Sequence, residues 1–196
     1  MKTLLLDMYG VIIKESKGNF MPYTYAHFPH TDKASYRKLY VSASRGEISC
    51  EGFLTALGFA NSASITRDYV ENHLTLDAMF CDFAERFAAQ YDFVLLSNDI
   101  AEWSVYIRKY HDLDRYFKAA IVSANIGLRK PDVAAFQRTI ELLGVAASDC
   151  IFVDNSVENL RAAESVGMDT VLFNRDGEEY GGKIVNSFAE LRDILI

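Results

Sequence analysis

Long hydrophobic runs are missing from this chain of 196 residues. The longest, around Phe93–Leu96 and Ile151–Val153, reach about six residues, and a membrane-spanning helix needs roughly 20. No membrane partner is therefore expected. Positive charge is also short: 20 Lys and Arg face 27 Asp and Glu, a net charge of -7. Binding along a nucleic acid needs a basic footprint. Nucleic acid is accordingly not expected as a partner, although local basic residues suffice for a small anion. Cysteine is scarce. Cys50, Cys81 and Cys150 are far apart, odd in number and never paired as CxxC. That excludes a zinc site and a disulfide framework and suits free thiols in a reducing cytosol. The opening Met1–Asp7 lacks the long apolar stretch and small-residue cleavage site of a signal peptide. The expected location is cytoplasmic.

What is present is ordinary globular material, with 50 % hydrophobic and 24 % charged residues. Such usage is incompatible with intrinsic disorder, and the length allows one domain with a smaller subdomain. Thr3–Leu6 is apolar on both faces and ends in Asp7, as a strand buried in a parallel sheet does. Phe93–Leu96 runs into Ser97-Asn98-Asp99, and Cys150–Val153 into Asp154-Asn155-Ser156. Weaker strands are expected at Ala119–Val122 and Thr170–Phe173. Helical patterns alternate with them: Ile100–Tyr110, Asp132–Leu143, and Val157–Val166 before Gly167. A last helix, Phe188–Leu195, follows the capping box Ser187-Phe188-Ala189-Glu190. The alternation predicts an α/β fold, a parallel sheet with right-handed crossovers and helices on its faces.

Residues 15–90 read differently. They look helical and hold no convincing strand. Thr31 or Asp32 caps a helix ending near Arg45-Gly46, and Ser49 caps another ending at Gly58. Two more are expected at 66–76 and 77–90. The pattern predicts a core of residues 1–14 and 91–196, with an all-helical insertion at 15–90. Tyr23, Tyr25, His27, Phe28 and His30 are expected in its first loop, packing insertion on core or lining a pocket. Arg37, Lys38 and Arg45 are either solvated helix charges or specificity residues.

Ligands of open α/β sheets sit outside the carboxyl ends of the strands. Those ends carry Asp7, Ser97 with Asn98, and Asp154 with Asn155, and Lys130 lies in the loop after the fourth apolar run. Each has a fitting task. Asp7, beside the tight turn at Gly10, can act as a carboxylate nucleophile. Lys130 can neutralise charge on the substrate and on Asp7. Ser97 and Asn98 can donate to substrate oxygens. Asp7 and Asp154 together can hold Mg²⁺, a hard cation that prefers oxygen ligands.

Four segments then resemble the motifs of the haloacid dehalogenase-like (HAD) hydrolases: Asp7-Met8-Tyr9-Gly10-Val11, Leu95-Leu96-Ser97-Asn98, Lys130-Pro131-Asp132 and Phe152-Val153-Asp154-Asn155. The run from Asn159-Leu160-Arg161-Ala162-Ala163 to Gly167-Met168 is similar too. The resemblance implies a Rossmann-like core with a helical cap inserted after the first motif. It also implies a covalent aspartyl intermediate on Asp7, usually with Mg²⁺. The position of Tyr9 gives its main-chain carbonyl to the metal in this family. The implied substrate is a small molecule.

Tyr9 departs from the phosphatase pattern. Phosphatases of the family carry a second Asp there, which protonates the leaving alcohol and then activates water. A tyrosine, with an ordinary pKa of about 10, does this poorly near neutrality. Asp-x-Tyr-Gly is instead the signature of the 2-haloacid dehalogenases, whose halide leaves without an acid and without a metal. The other motifs oppose that reading. Dehalogenases typically carry Ser, Asn and Asp where this chain has Asp154, Ser156 and Asn159, and Tyr where it has Phe136. Three functions stay open from the sequence: a Mg²⁺-dependent phosphatase-type hydrolase of a small phosphorylated metabolite, a 2-haloacid dehalogenase, and a weakly active or non-catalytic binding or regulatory protein.

Overall fold

The computed structural model describes residues 1–18 and 20–195. Between strand β1 (Lys2–Leu6) and strand β2 (Tyr91–Ser97) lie five α-helices among the described residues: α1 (Phe20–His27), α2 (Lys33–Ser44), α3 (Cys50–Ala56), α4 (Ser62–His73) and α5 (Met79–Phe87). The rest alternates: α6 (Ala101–Tyr110), β3 (Ala119–Val122), α7 (Ser123–Ile126), α8 (Val133–Leu143), β4 (Cys150–Asp154), α9 (Val157–Ser165), β5 (Asp169–Phe173), β6 (Lys183–Val185) and α10 (Phe188–Leu195).

The sheet runs β3-β2-β1-β4-β5-β6, and every pair is parallel. This is the expected Rossmann-like α/β architecture. Its central strand is apolar on both sides because both sides are covered. Leu4 and Leu6 join a layer with Phe83, Phe87 and Phe188, while Leu5 joins one with Phe136, Phe152 and Leu160. Leu6 lies opposite Leu95 on one side and Val153 on the other. The Asp7 N–H extends this ladder to the Val153 carbonyl at 3.0 Å. Asp7, Ser97 and Asp154 therefore emerge at one end of three adjacent strands.

The expected caps form. Asp32 accepts from the Ser35 N–H at 2.7 Å and Ser49 Oγ from the Gly52 N–H at 3.1 Å. The first-loop expectation is corrected, because Phe20–His27 is a helix. Its Phe20 and Tyr23 are drawn into an aromatic cluster with Phe53, Phe59, Tyr69 and Trp103, so tertiary burial decides a segment with weak local signals. Strand β6 was not expected. It is only three residues long and at the sheet edge.

The helices before β2 are of two kinds. Helices α3 and α4 pack on α6, and α2 packs on α7. Ser123 Oγ donates to the Ser44 carbonyl at 2.6 Å and accepts from the Asp99 N–H at 3.0 Å. Gly46 has φ +74°, and a Cβ there would stand 2.3 Å from the Ala124 carbonyl, so the seam admits only glycine. Helix α5 belongs elsewhere: Phe83 meets Phe93 of β2 at 5.9 Å and Phe188 of α10 at 5.1 Å between ring centroids. Among the described residues no helix is long and apolar enough to cross a membrane.

Candidate active site

The turn after β1 presents the first acid. Gly10 has φ +79°, and a Cβ on it would lie 2.3 Å from the Asn155 side chain. No other residue fits there. The Ile13 N–H closes on the Met8 carbonyl at 2.8 Å, and the Gly10 N–H on the Ile13 carbonyl at 2.7 Å. From the loop after β5, Arg175 donates to the Gly10 and Val11 carbonyls at 3.0 and 3.1 Å and pairs with Asp77 at 2.5 Å.

Lys130 is the hub. Its buried ammonium reaches Asp7 Oδ1 at 2.9 Å, Asp154 Oδ2 at 2.7 Å and the Leu96 carbonyl at 2.8 Å. Burial alone disfavours its charge, but Asp154 and Asp7 outweigh that and hold it above its ordinary pKa. Asp154, 0 % exposed, is fully occupied. Its Oδ1 accepts from the Ser156 N–H at 2.7 Å and from Asn159 at 3.1 Å, and its Oδ2 from Asn159 at 3.0 Å besides Lys130. Asp7 is less so. Oδ1 takes the Met8 N–H at 2.8 Å together with Lys130, whereas Oδ2 accepts nothing among the described residues. Burial pushes the Asp7 pKa up to about 7; Lys130 opposes this and Asp154 adds to it.

A cavity of about 500 Å³ opens over this group. Its lining includes Asp7, Tyr9, Asn98, Lys130, Tyr40 and Arg129, together with Asn155, Ser156, Glu158, Asp176 and Glu178. Asp154 stands behind Lys130 and outside the lining. The remaining candidates divide. Asn98 lines the cavity, but its amide is committed: Nδ2 donates to the Lys130 carbonyl at 2.7 Å and Oδ1 accepts the Lys130 N–H at 2.9 Å. It thus positions the lysine as well as facing substrate. Ser97 is buried outside the lining, and its Oγ has no hydrogen-bond partner. Tyr9 faces away from Asp7 in function: its hydroxyl donates to Asp99 Oδ1 at 3.2 Å. Burial, followed by Asp99, pushes its pKa far up. Neither His27 and His30 nor Arg37, Lys38 and Arg45 reach the cavity lining.

Several residues of the site had no signal in the sequence. Tyr40 and Arg129 break no pattern in a helix and a loop. Asp99 was visible only as an odd residue after Ser97-Asn98. It is 0 % exposed, accepts from Tyr9 and from the Ile100 N–H at 2.8 Å, and leaves Oδ2 without a partner. Burial raises its pKa to about 8. The folded protein therefore holds this proton more tightly than the unfolded chain, and stability falls as pH rises from about 4 to about 8. Asp99→Asn is expected to melt several degrees higher than wild type at pH 9 and no higher at pH 4. A thermal-melt series across pH checks this, and parallel curves for the two proteins would refute it.

The Asp7 carboxylate and the Tyr9 carbonyl, which accepts no hydrogen bond among the described residues, are oxygen groups of the kind a hard cation could take. No group of three or more His, Cys, Asp or Glu converges as a metal cluster among those residues.

Comparison with known proteins agrees with this geometry. Residues 1–167 match the family described as "Hydrolase: haloacid dehalogenase-like hydrolase". A drimenol cyclase of Aspergillus calidoustus is 31 % identical over 87 residues, 44 % of this chain and 14 % of that protein. A phosphatase of Mycobacterium tuberculosis is 34 % identical over 85 residues, 43 % of this chain and 37 % of that one. The matched segment thus spans less than half the length of either relative. Among solved structures, a HAD family enzyme of Bacteroides thetaiotaomicron, crystallised with magnesium and inorganic phosphate, superposes with a TM-score of 0.71. It covers 92 % of this chain and 98 % of its own at 20 % identity, a likeness of fold. With a family match across most of its length and the motif residues gathered at one end of the sheet, the chain belongs to the haloacid dehalogenase-like hydrolases.

Proposed function

We propose that the chain hydrolyses small phosphate esters through Asp7, with Mg²⁺ as cofactor. One observation carries the reading. Asp7 keeps Oδ2 free beside the cavity while Lys130 and the Met8 N–H hold Oδ1, the posture of an aimed nucleophile. Oδ2 attacks phosphorus as the P–O ester bond breaks, the departing alkoxide takes its proton from solvent water, and a second water then attacks the aspartyl phosphate at phosphorus, releasing inorganic phosphate and a proton and regenerating the carboxylate. Lys130 offsets the negative charge gathered by Asp7 and the phosphoryl oxygens. Ser97 brings an unpartnered hydroxyl to the same strand end. Tyr9 stands in the usual acid/base position, but its hydroxyl donates to Asp99 and holds its proton too tightly to serve as an acid near neutrality.

The residues fit Mg²⁺. Two buried carboxylates share one ammonium, which leaves an excess negative charge. The Tyr9 carbonyl is open, Asp154 Oδ1 is held only by neutral N–H donors that a cation can displace, and Asp7 would join them through its other oxygen, leaving Oδ2 for the attack. When bound, Mg²⁺ would supply charge neutralisation at the phosphoryl group. The phosphatase relative and the magnesium- and phosphate-bound structural neighbour support the same choice. We further propose that the helical insertion of 15–90 works as a cap over the core of 1–14 and 91–196, with α5 left on the core by its packing on α10.

Tyr9 itself favours a second reading, 2-haloacid dehalogenation, in which no leaving-group acid is needed. A panel of phosphate esters and 2-haloacids, each with Mg²⁺ and with EDTA, separates the two. Phosphate release that EDTA abolishes is expected. Halide release indifferent to EDTA, with no phosphate release, would establish the dehalogenase.

A further inference from the structure

Arg129 directly precedes Lys130 and lines the same cavity. Asn98 clamps the Lys130 backbone on both sides, so the arginine's origin is fixed while its side chain leaves the Lys130–Asp7 group. The guanidinium Nη1 is buried without a hydrogen-bond partner. The Tyr40 ring lies 5.5 Å from its Cζ, and the Tyr40 hydroxyl donates to the Asn98 carbonyl at 3.3 Å. Burial depresses the Arg129 pKa and Arg45 adds to this, while Tyr40 and Asp99 oppose it. A desolvated cation without a counter-ion is unfavourable in a folded protein. At a cavity wall it becomes favourable when an anion arrives, and the guanidinium fork matches carboxylate and phosphate oxygens. The same lining carries Glu158, Asp176 and Glu178. A second anion is repelled by those carboxylates and attracted by Arg129.

We propose that Arg129, with Tyr40 beside it, binds a second anionic group of the substrate, so that the chain selects phosphate esters carrying a further carboxylate or phosphate. The proposal rests on the phosphohydrolase reading for its substrate and, for its site, on the half-buried Arg129 at the cavity wall, whose Nη1 has no hydrogen-bond partner. Arg129 is a specificity residue here. It touches the non-reacting end of the molecule.

The test uses two matched pairs of probes with wild type, Arg129→Gln and Arg129→Lys. Turnover is compared on 3-phosphoglycerate and glycerol 3-phosphate, which differ by a carboxylate. Binding of pyrophosphate and orthophosphate is compared by calorimetry with Mg²⁺ present. In wild type, the anion-bearing member of each pair is expected to win. Arg129→Gln should shrink each ratio by roughly 10- to 100-fold, as for a lost charge-assisted hydrogen bond, and Arg129→Lys should shrink it less. Unchanged ratios on both pairs overturn the proposal and leave the hydrolase reading standing. No turnover of either ester, with a pyrophosphate preference that Arg129→Gln removes, supports the anion site and rejects the phosphohydrolase. If Arg129→Gln does not fold, wild type still decides: equal kcat/KM on the two esters with equal affinity for the two anions overturns it.

Discussion

Lys130→Ala is expected to reduce turnover by roughly 10³-fold or more, the range for removing a preorganised charge at a reacting centre. The structure makes the loss double. The ammonium is the only cation hydrogen-bonded between Asp7 and Asp154 among the described residues, and it is 3 % exposed. Without it, Asp7 loses the charge that keeps it an ionised nucleophile. Asp154 keeps only neutral donors, and the Leu96 carbonyl loses its partner. Breaking a buried pair from one side typically costs about 3–5 kcal/mol, so the melting temperature falls as well. Rates must therefore be measured below the new melting range. Added Mg²⁺ should restore part of the stability and none of the rate. A folded Lys130→Ala protein with wild-type rates would mean that the reaction centre lies elsewhere.

Tyr9→Asp is expected to do the opposite. General acid–base catalysis contributes about 10²–10⁴-fold, and the Tyr9 hydroxyl is withheld from it by Asp99. An aspartate in this pocket would meet the same burial that raises Asp99 to a pKa of about 8 and so would remain protonated, ready to donate, near neutrality. The gain should be largest on sugar phosphates, whose alkoxides need a proton. It should be small on p-nitrophenyl phosphate, whose phenolate leaves unaided. The substitution also empties the slot of a ring that is 6 % exposed. A cavity of that kind lowers stability by about 3–5 kcal/mol, so melting is followed beside the rates. A stable Tyr9→Asp protein with no gain on any phosphate ester, and with 2-haloacid turnover lost, would favour the dehalogenase.

The sheet was legible because its strands are buried on both faces, and a two-sided apolar run bounded by polar residues has few other meanings. Asp7 was legible for the same reason, since it stands where such a run ends, whereas Lys130 was legible from its loop and from the motif Lys130-Pro131-Asp132. Helix α1 was not, since its stability comes from Tyr69 and Trp103, distant residues that no local pattern announces. Arg129 and Tyr40 escaped because they meet across the seam between α2 and the loop before α8. The commitment of Asn98 to Lys130 escaped too. A residue type shows that an amide can donate, and only the fold shows to what.

Strand β1 precedes both of its sheet neighbours in the chain and lies between them in the sheet. Leu6 sits between Leu95 and Val153. At synthesis rates of about 5–20 residues per second, the second neighbour follows the first strand by on the order of ten seconds. During that interval an apolar strand has one edge without a partner, which is the condition for mispairing between nascent chains. Arg175, the brace of the Gly10 turn, arrives later still. Asp7 is thus translated well before the residues that seat it. Ribosome-bound chains that end before β4 are expected to depend on chaperones, and to gain protease resistance only after Arg175 has left the exit tunnel.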